Sequence, residues 1–344
     1  MKRSPMAQGQ WLKKRLLIIL LLTTAALILG LQTFLPAKHS PTPIAKTAPI
    51  AAMTFSPSLP PTVVPDRLFR QVQSLAFERY TPAQRQQARD YIVAELQAAG
   101  WVPSLIPFQG GVNILAQRPG QVRTSNSLLV AAHYDTVAGS PGADDNASGV
   151  ATVLEIAHLF AQQSTARPLQ LAFFDLEEQN LQGSFAFAND PQQRADLAGV
   201  IVLEMLGFAC HTPGCQRQPQ GLPITPPSDK GDFLVVVGDT EHLPLLQSFA
   251  QPPPDLPAVL ALPTPMKGLL TPDLLRSDHA PFWYQEIGAV MVTDTANFRN
   301  PHYHQPSDTP DTIDRPFLSG AAQLVVNATA RLLSQSTPLT TPAQ

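Results

Sequence analysis

Eight acid and histidine side chains are spaced where chemistry could use them. The stretch "HYDTVAGSPGADDNASG" (133–149) carries His133, Asp135, Asp144 and Asp145, in a chain only 14% charged. Glu177 and Glu178 close the run "LQLAFFDLEE", Glu204 closes "GVIVLE", and His304 lies in the loop "NPHYHQPSDTPDTID". Brought together, these groups would repel one another unless a cation held them. Neutral imidazoles mixed with carboxylates suit zinc, whereas magnesium and calcium sites take oxygen ligands almost exclusively. Calcium held by the carboxylates alone is the competing metal reading. The donors suffice for two metals about 3.5–4 Å apart, the arrangement of two-metal hydrolases.

The elements that must position them follow from the patterning. Apolar runs at 127–133, 169–177, 199–206, 233–239 and 288–294 read as buried strands. Helical patterns over 148–163, 240–250 and 280–288 separate most of them. Apolar strands alternating with helices predict a three-layer α/β/α sandwich around a mostly parallel mixed sheet. Ligands of open α/β sheets bind beyond the carboxyl ends of the strands, which is where these residues fall. Thr81, Pro82 and Gly100 bracket a further helix with an N-cap, a first-turn proline and a C-terminal stop. A closing helix is expected over 315–335, and segments 208–232 and 251–265 read as irregular excursions, either lids or plain surface insertions.

Composition bounds the rest. A formal charge of −3 over 344 residues leaves no basic footprint, so nucleic acid is excluded as an expected partner. Residues 1–35 combine Lys2, Arg3, Lys13, Lys14 and Arg15 with the apolar run that begins at Leu16, and predict a signal anchor crossing a membrane. A cleaved signal peptide, releasing a secreted protein, is the alternative. The proline-rich segment 36–65 reads as a tether, 66–337 as the folded domain, and 338–344 as a tail. The catalytic domain is thus expected outside the cytoplasm, periplasmic or extracellular. In that oxidising setting Cys210 and Cys215, on either side of a Pro-Gly turn, are expected to form a disulfide.

Six motifs in order resemble the M28 family of zinc-dependent aminopeptidases, from about residue 70 to 335. They are "HYD", "GADDNASG", "EEQNLQGS", "LEMLG", "SDH" (277–279) and "YHQPSDT". The resemblance implies a zinc exopeptidase fold and two Zn2+ per chain, with His133, Asp144, Glu178, Glu204 and His304 as ligands. Asp144 would bridge the two ions, His133 and Glu204 would complete one and Glu178 and His304 the other. Glu177 would be the general base, Asp135 would orient His133, and Asp145 would shape the turn beside the bridge. Glu204 stands where many members have aspartate. Tyr303 matches a position where members polarise the scissile carbonyl, with a packing tyrosine as the alternative. Asp278 and His279 either support the site or face substrate, and His302 is not expected to bind metal. The implied reaction is hydrolysis of peptide bonds at free N-termini. A glutaminyl-cyclase-like zinc aminoacyltransferase, a carboxypeptidase or dipeptidase on the same fold, and a non-catalytic binding module are the alternatives.

Overall fold

The computed structural model of the protein describes residues 59–122, 126–219 and 224–341. The expected anchor and most of the proline-rich tether lie outside the described residues. Within them no helix is long and apolar enough to cross a membrane.

The apolar runs form the centre of an eight-stranded sheet: β1 (Ser104–Phe108), β2 (Gly111–Arg118), β3 (Ser127–His133), β4 (Leu169–Phe174), β5 (Leu197–Glu204), β6 (Phe233–Asp239), β7 (Ala258–Thr264) and β8 (Ala289–Thr293). Their order is β1-β2-β4-β3-β5-β8-β6-β7. Strands β4, β3, β5 and β8 are parallel, and antiparallel pairs flank them: β2 against β4, and β6 against β8. Every residue of β3, β4 and β6 is buried, as strands covered on both faces require.

Alternation along each strand feeds two apolar layers. Leu128, Val130 and Ala132 face a core built with α1 (Pro65–Leu75), α2 (Pro82–Ala98), α3 (Gly149–Leu159) and α7 (Arg315–Leu333). The short α5 (Leu243–Gln247) joins that layer through Leu245 and Leu246. Leu129 and Ala131 face the other core, where Phe187 of α4 (Gln182–Asn189) and Phe282 and Trp283 of α6 (Ala280–Tyr284) pack. Each such fully buried large apolar side chain contributes roughly 1.5–3 kcal/mol relative to exposure. The three-layer architecture expected from the patterning is the one observed.

Several expectations need adjustment. Thr81 caps α2 as read, with Gln84 completing a capping box. The helices expected over 240–250 and 280–288 shrink to single short turns of α5 and α6. Segment 251–265 is not wholly irregular: its second half is β7, an edge strand parallel to β6. Its prolines hid it, yet Pro263 is tolerated because an edge strand leaves N–H positions unpaired. The hairpin β1–β2 is additional to the strands read from the sequence. The end of the tether already packs, since Val63 and Val64 donate their amide protons to Gln323 Oε1 and Glu155 Oε1. Leu339 of the expected tail is buried in the first core.

The order of the strands sets the place for a site. The chain leaves β3 through α3 to reach β4 on one side, then returns through α4 to β5 on the other. The two connections lie on opposite faces of the sheet, so a crevice opens at the carboxyl end of β3.

Candidate metal centre

Three adjacent parallel strands deliver the predicted residues into that crevice. His133 ends β3, Glu177 and Glu178 follow β4, and Glu204 ends β5. The loop after β8 brings in His304, whose ring Nε2 lies 3.0 Å from Glu178 Oε2. Two groups of three side chains offer donor atoms lying within 4.8 Å of one another: His133, Glu177 and Glu204; and Asp145, Glu178 and His304.

Asp145 joins them. Its Oδ1 is 3.3 Å from His133 Nε2 and its Oδ2 is 3.2 Å from His304 Nε2. The expected bridge at Asp144 is therefore corrected: Asp144 turns away from the imidazoles. Its Oδ1 accepts hydrogen bonds from the Gly207 amide (2.8 Å) and Ser148 Oγ (3.2 Å), and its Oδ2 accepts from Asn300 Nδ2 (2.7 Å). A carboxylate so fully used is a brace under the loop. The physical reason lies in the backbone: Asp145 and Asn146 leave helical geometry within 143–148, and this break reverses which aspartate faces the crevice. The peptide bond between Asp145 and Asn146 is cis. Gly142 enters the loop at φ +62°, where an added Cβ would lie 2.3 Å from the Asp145 carbonyl oxygen.

Supporting contacts explain how so much acid stays in place. Asp135 accepts from the amides of Glu177 (3.0 Å) and Glu178 (3.3 Å), and its Oδ1 stands 3.5 Å from His133 Nδ1. One carboxylate thus locates the backbone of both glutamates as well as flanking the imidazole. Asp308 accepts from the amides of Asp144 (2.9 Å) and Asp145 (3.0 Å), fixing the loop from the side of the His304 segment. The fully buried Arg79 donates to the carbonyls of Tyr134, Pro141 and Gly142, tying β3 to the same loop. Ser277 Oγ donates to Glu204 Oε2 at 2.7 Å, so the longer glutamate reaches the cluster and is held there. Its Oε2 is 3.6 Å from His133 Nε2.

The electrostatics follow from burial. Burial raises Glu177 well above the usual carboxylate range, helped by Glu204, Asp278 and Glu178 and opposed by His133. Glu178 is pushed up to about 7 by burial and by Asp145. Burial works against an ionised Asp145 too, yet His133 and His304 hold its carboxyl well below the ordinary value. His304 shows the reciprocal effect, raised to about 10 against burial by Asp145 and Glu178. Asp278, with both oxygens buried and unpartnered among the described residues, is raised by burial to about 7.

The donors fit a cation. His133 Nδ1 and Nε2, Asp145 Oδ1, Glu178 Oε1 and His304 Nε2 are buried, and among the described residues none is hydrogen-bonded. Buried polar atoms left so are costly; metal ions would satisfy His133 Nε2, His304 Nε2 and the carboxylate oxygens, while His133 Nδ1 faces Asp135 Oδ1. The remaining predicted residues take separate places. Tyr303 stacks its ring on His304 with centroids 3.7 Å apart, and its hydroxyl accepts from Arg276 Nη2 at 3.3 Å. His302 turns to Ser307 Oγ, and His279 is buried with Nε2 against the Leu274 carbonyl. The roles of Arg79 and Asp308 escaped sequence reasoning. Asp308 stands inside the quoted "YHQPSDT", while Arg79 carries no motif signal.

A cavity of about 360 Å³ opens over the cluster, lined by Asp145, Glu177, Glu178, Glu204, Tyr303 and His304 among others. A smaller apolar pocket of about 100 Å³ adjoins it, sharing Glu204, Arg276 and Tyr303 and floored by Val235, Leu260 and Met291. Cys210 and Cys215 are disulfide-bonded in the excursion that borders this side, with Cα atoms 6.4 Å apart.

Residues 113–225 match the model of Peptidase family M28. The chain is 36% identical over 203 residues to Escherichia coli YfbL, an uncharacterized protein, the match covering 54% of this chain and 61% of that one. It is 34% identical over 128 residues to the leupeptin-inactivating enzyme 1 of Streptomyces exfoliatus, covering 34% and 28% of the two. The matches thus span less than two thirds of the length of either relative. Among solved structures, an aminopeptidase from Aneurinibacillus sp. strain AM-1 superposes with a TM-score of 0.62 at 15% identity, over 82% of this chain and 97% of that one. Porphyromonas gingivalis glutaminyl cyclase superposes with a TM-score of 0.55 at 20% identity, over 78% and 99%. At such identities the likeness is one of fold. Residues 113–225 are thus similar to Peptidase family M28, and the chain shares the α/β fold of an aminopeptidase of known structure.

Proposed function

We propose that the protein is a zinc-dependent aminopeptidase that hydrolyses the peptide bond after a free N-terminal residue. The observation that carries this reading is the pair of donor groups joined by Asp145, beside Glu177 and open to a substrate-sized cavity. In this reading two zinc ions are held, one by His133, Glu204 and Asp145, the other by Glu178, His304 and Asp145. Ions held there supply Lewis acidity, acidifying a water and polarising the substrate carbonyl.

The chain's own residues do the rest. Glu177, buried and already biased toward holding a proton, takes the proton from the attacking water and passes it to the leaving amine. Asp135 keeps Glu177 and Glu178 in register by accepting their amide protons. Tyr303 offers its hydroxyl to the carbonyl oxygen as negative charge develops on it. The surplus of carboxylates attracts a free α-ammonium group, which supports exopeptidase action at the N-terminus, and the apolar pocket suits an aliphatic N-terminal side chain. The Cys210–Cys215 bond supports an oxidising, exported location for this domain, tethered through residues 1–35 or secreted if they are cleaved.

A glutaminyl-cyclase-like transferase is the second reading, supported by the likeness of fold. Counting zinc separates the two, since that chemistry is expected to use one ion. The test is hydrolysis of leucine p-nitroanilide and its N-acetyl form by zinc-loaded protein, with zinc per chain measured by elemental analysis. Cleavage of the free form alone, with two ions bound and loss on chelation, is expected. Cleavage of neither form, or equal cleavage of both, would sink the aminopeptidase reading.

A further inference from the structure

Two guanidinium groups converge at the rim between the cluster and the apolar pocket. Arg276 Nη1 donates to Asn297 Oδ1 at 3.1 Å, and Arg217 Nη2 donates to the Asn297 backbone carbonyl. Arg276 also donates to the Tyr303 hydroxyl, and Arg217 donates its amide proton to the Phe298 carbonyl. Both arginines line the apolar pocket, and Arg276 lines the larger cavity as well. Every one of these partners is neutral. Among the described residues neither arginine makes an ion pair, although the chain holds an excess of acid and the acidic cluster lies just inside the cavity.

Two like charges held on one asparagine repel each other, and nothing in the fold's packing calls for them there: both arginines are exposed. Their remaining N–H groups are left for a ligand that enters the pocket both side chains line. Arginine's planar fork matches a carboxylate in two-point fashion, and such charge-assisted bonds are roughly twice as strong as neutral ones. Two zinc ions held at the cluster would offset the four acidic side chains lining the cavity, and the arginines at the rim would add the positive charge that holds a substrate carboxylate.

We infer that Arg276, with Arg217, forms a carboxylate-binding rim that selects short substrates carrying a negative charge close to the scissile bond. The inference rests on the peptidase reading above. Two sources present that chemistry: the C-terminal carboxylate of a dipeptide, and the side chain of an acidic N-terminal residue. The apolar floor of the adjoining pocket fits the first arrangement, an aliphatic N-terminal side chain below with a terminal carboxylate at the rim.

The test measures kcat/KM of the zinc-loaded protein on Leu-Ala against Leu-Ala-amide, and on Glu-Ala-amide against Gln-Ala-amide. Calorimetry with reduced-amide Leu-Ala and its C-terminal amide, which bind without turnover, runs in parallel. Within either pair the ratio cancels any general loss of activity in a variant. The expected result is a preference for the charged member of one pair of about tenfold or more, falling to near one in Arg276→Gln and weakened in Arg217→Gln. A C-terminal source moves the first pair, an acidic side chain the second. Ratios near one in the wild type, or a preference that survives in Arg276→Gln, would overturn the inference. Charge-selective binding of the reduced peptides without hydrolysis of any substrate would leave the rim standing and remove the peptidase reading.

Discussion

At the scale of single residues, neighbouring acids of identical type are set apart by what their oxygens touch. Asp145 spends its two oxygens on the two imidazoles, while Asp144 spends its own on Gly207, Ser148 and Asn300. Asp145→Asn should therefore abolish binding of both zinc ions, whereas Asp144→Asn should keep zinc and lower the melting temperature. Elemental analysis paired with thermal denaturation checks this, and loss of zinc in the Asp144 variant alone would reverse the assignment. Glu177→Gln should retain two zinc ions and lose roughly 10²–10⁴-fold in turnover, the usual share of a general base. Full activity in that variant would remove Glu177 from the mechanism. The residue types were legible in the sequence, since charge is scarce and these groups sit at strand ends. Which of two adjacent aspartates points inward was not, because it depends on a departure from helical backbone geometry at 145–146 that no side-chain pattern encodes.

At the scale of elements, the centre is held by loops that separate strands bring together. Asp308, in the loop before α7, accepts the amides of Asp144 and Asp145 in the loop before α3. Asp308→Ala leaves both buried donors unsatisfied, which should cost about 1–3 kcal/mol of stability. It should also weaken zinc about 10–100-fold, as is typical when a supporting partner of the ligands is lost. Denaturant unfolding and chelator competition measure the two effects; an unchanged zinc affinity would mean that the loop holds itself. Near α6, burial lowers His279 from 6.5 to about 4. The unfolded chain takes up a proton near pH 6.5 that the folded chain refuses until about pH 4. Stability from the neutral ring is therefore complete above 6.5 and is lost as pH falls through that window, by up to about 3 kcal/mol. In zinc-free protein, His279→Gln should lose less stability than wild type between pH 7 and pH 4.5. Parallel pH dependences would refute the effect.

At the scale of the whole molecule, the sheet is the frame and a metal held at the candidate site would be a cross-brace. Donors from the ends of two strands and from three connecting segments meet at one point, so zinc bound only by the folded chain would stabilise it by mass action. At a free concentration 100-fold above Kd the gain is about 2.7 kcal/mol. Chelation should lower the melting temperature by about 5 °C or more, reversibly on adding zinc back. An unchanged melting temperature would mean that the site is not a zinc centre. The sequence by itself determined the layered α/β fold, the position of the candidate residues at the carboxyl ends of β3, β4 and β5, and the disulfide partners. Those features follow from local apolar patterning and from short separations along the chain. Only the tertiary structure decided that Asp145 rather than Asp144 faces both imidazoles, and that Arg79 and Asp308 support the loop. It alone turned the second half of the proline-rich 251–265 into an edge strand and set Arg217 and Arg276 on one asparagine. Those outcomes depend on contacts between residues about 20 to 160 positions apart and on backbone geometry, which neither composition nor periodicity records.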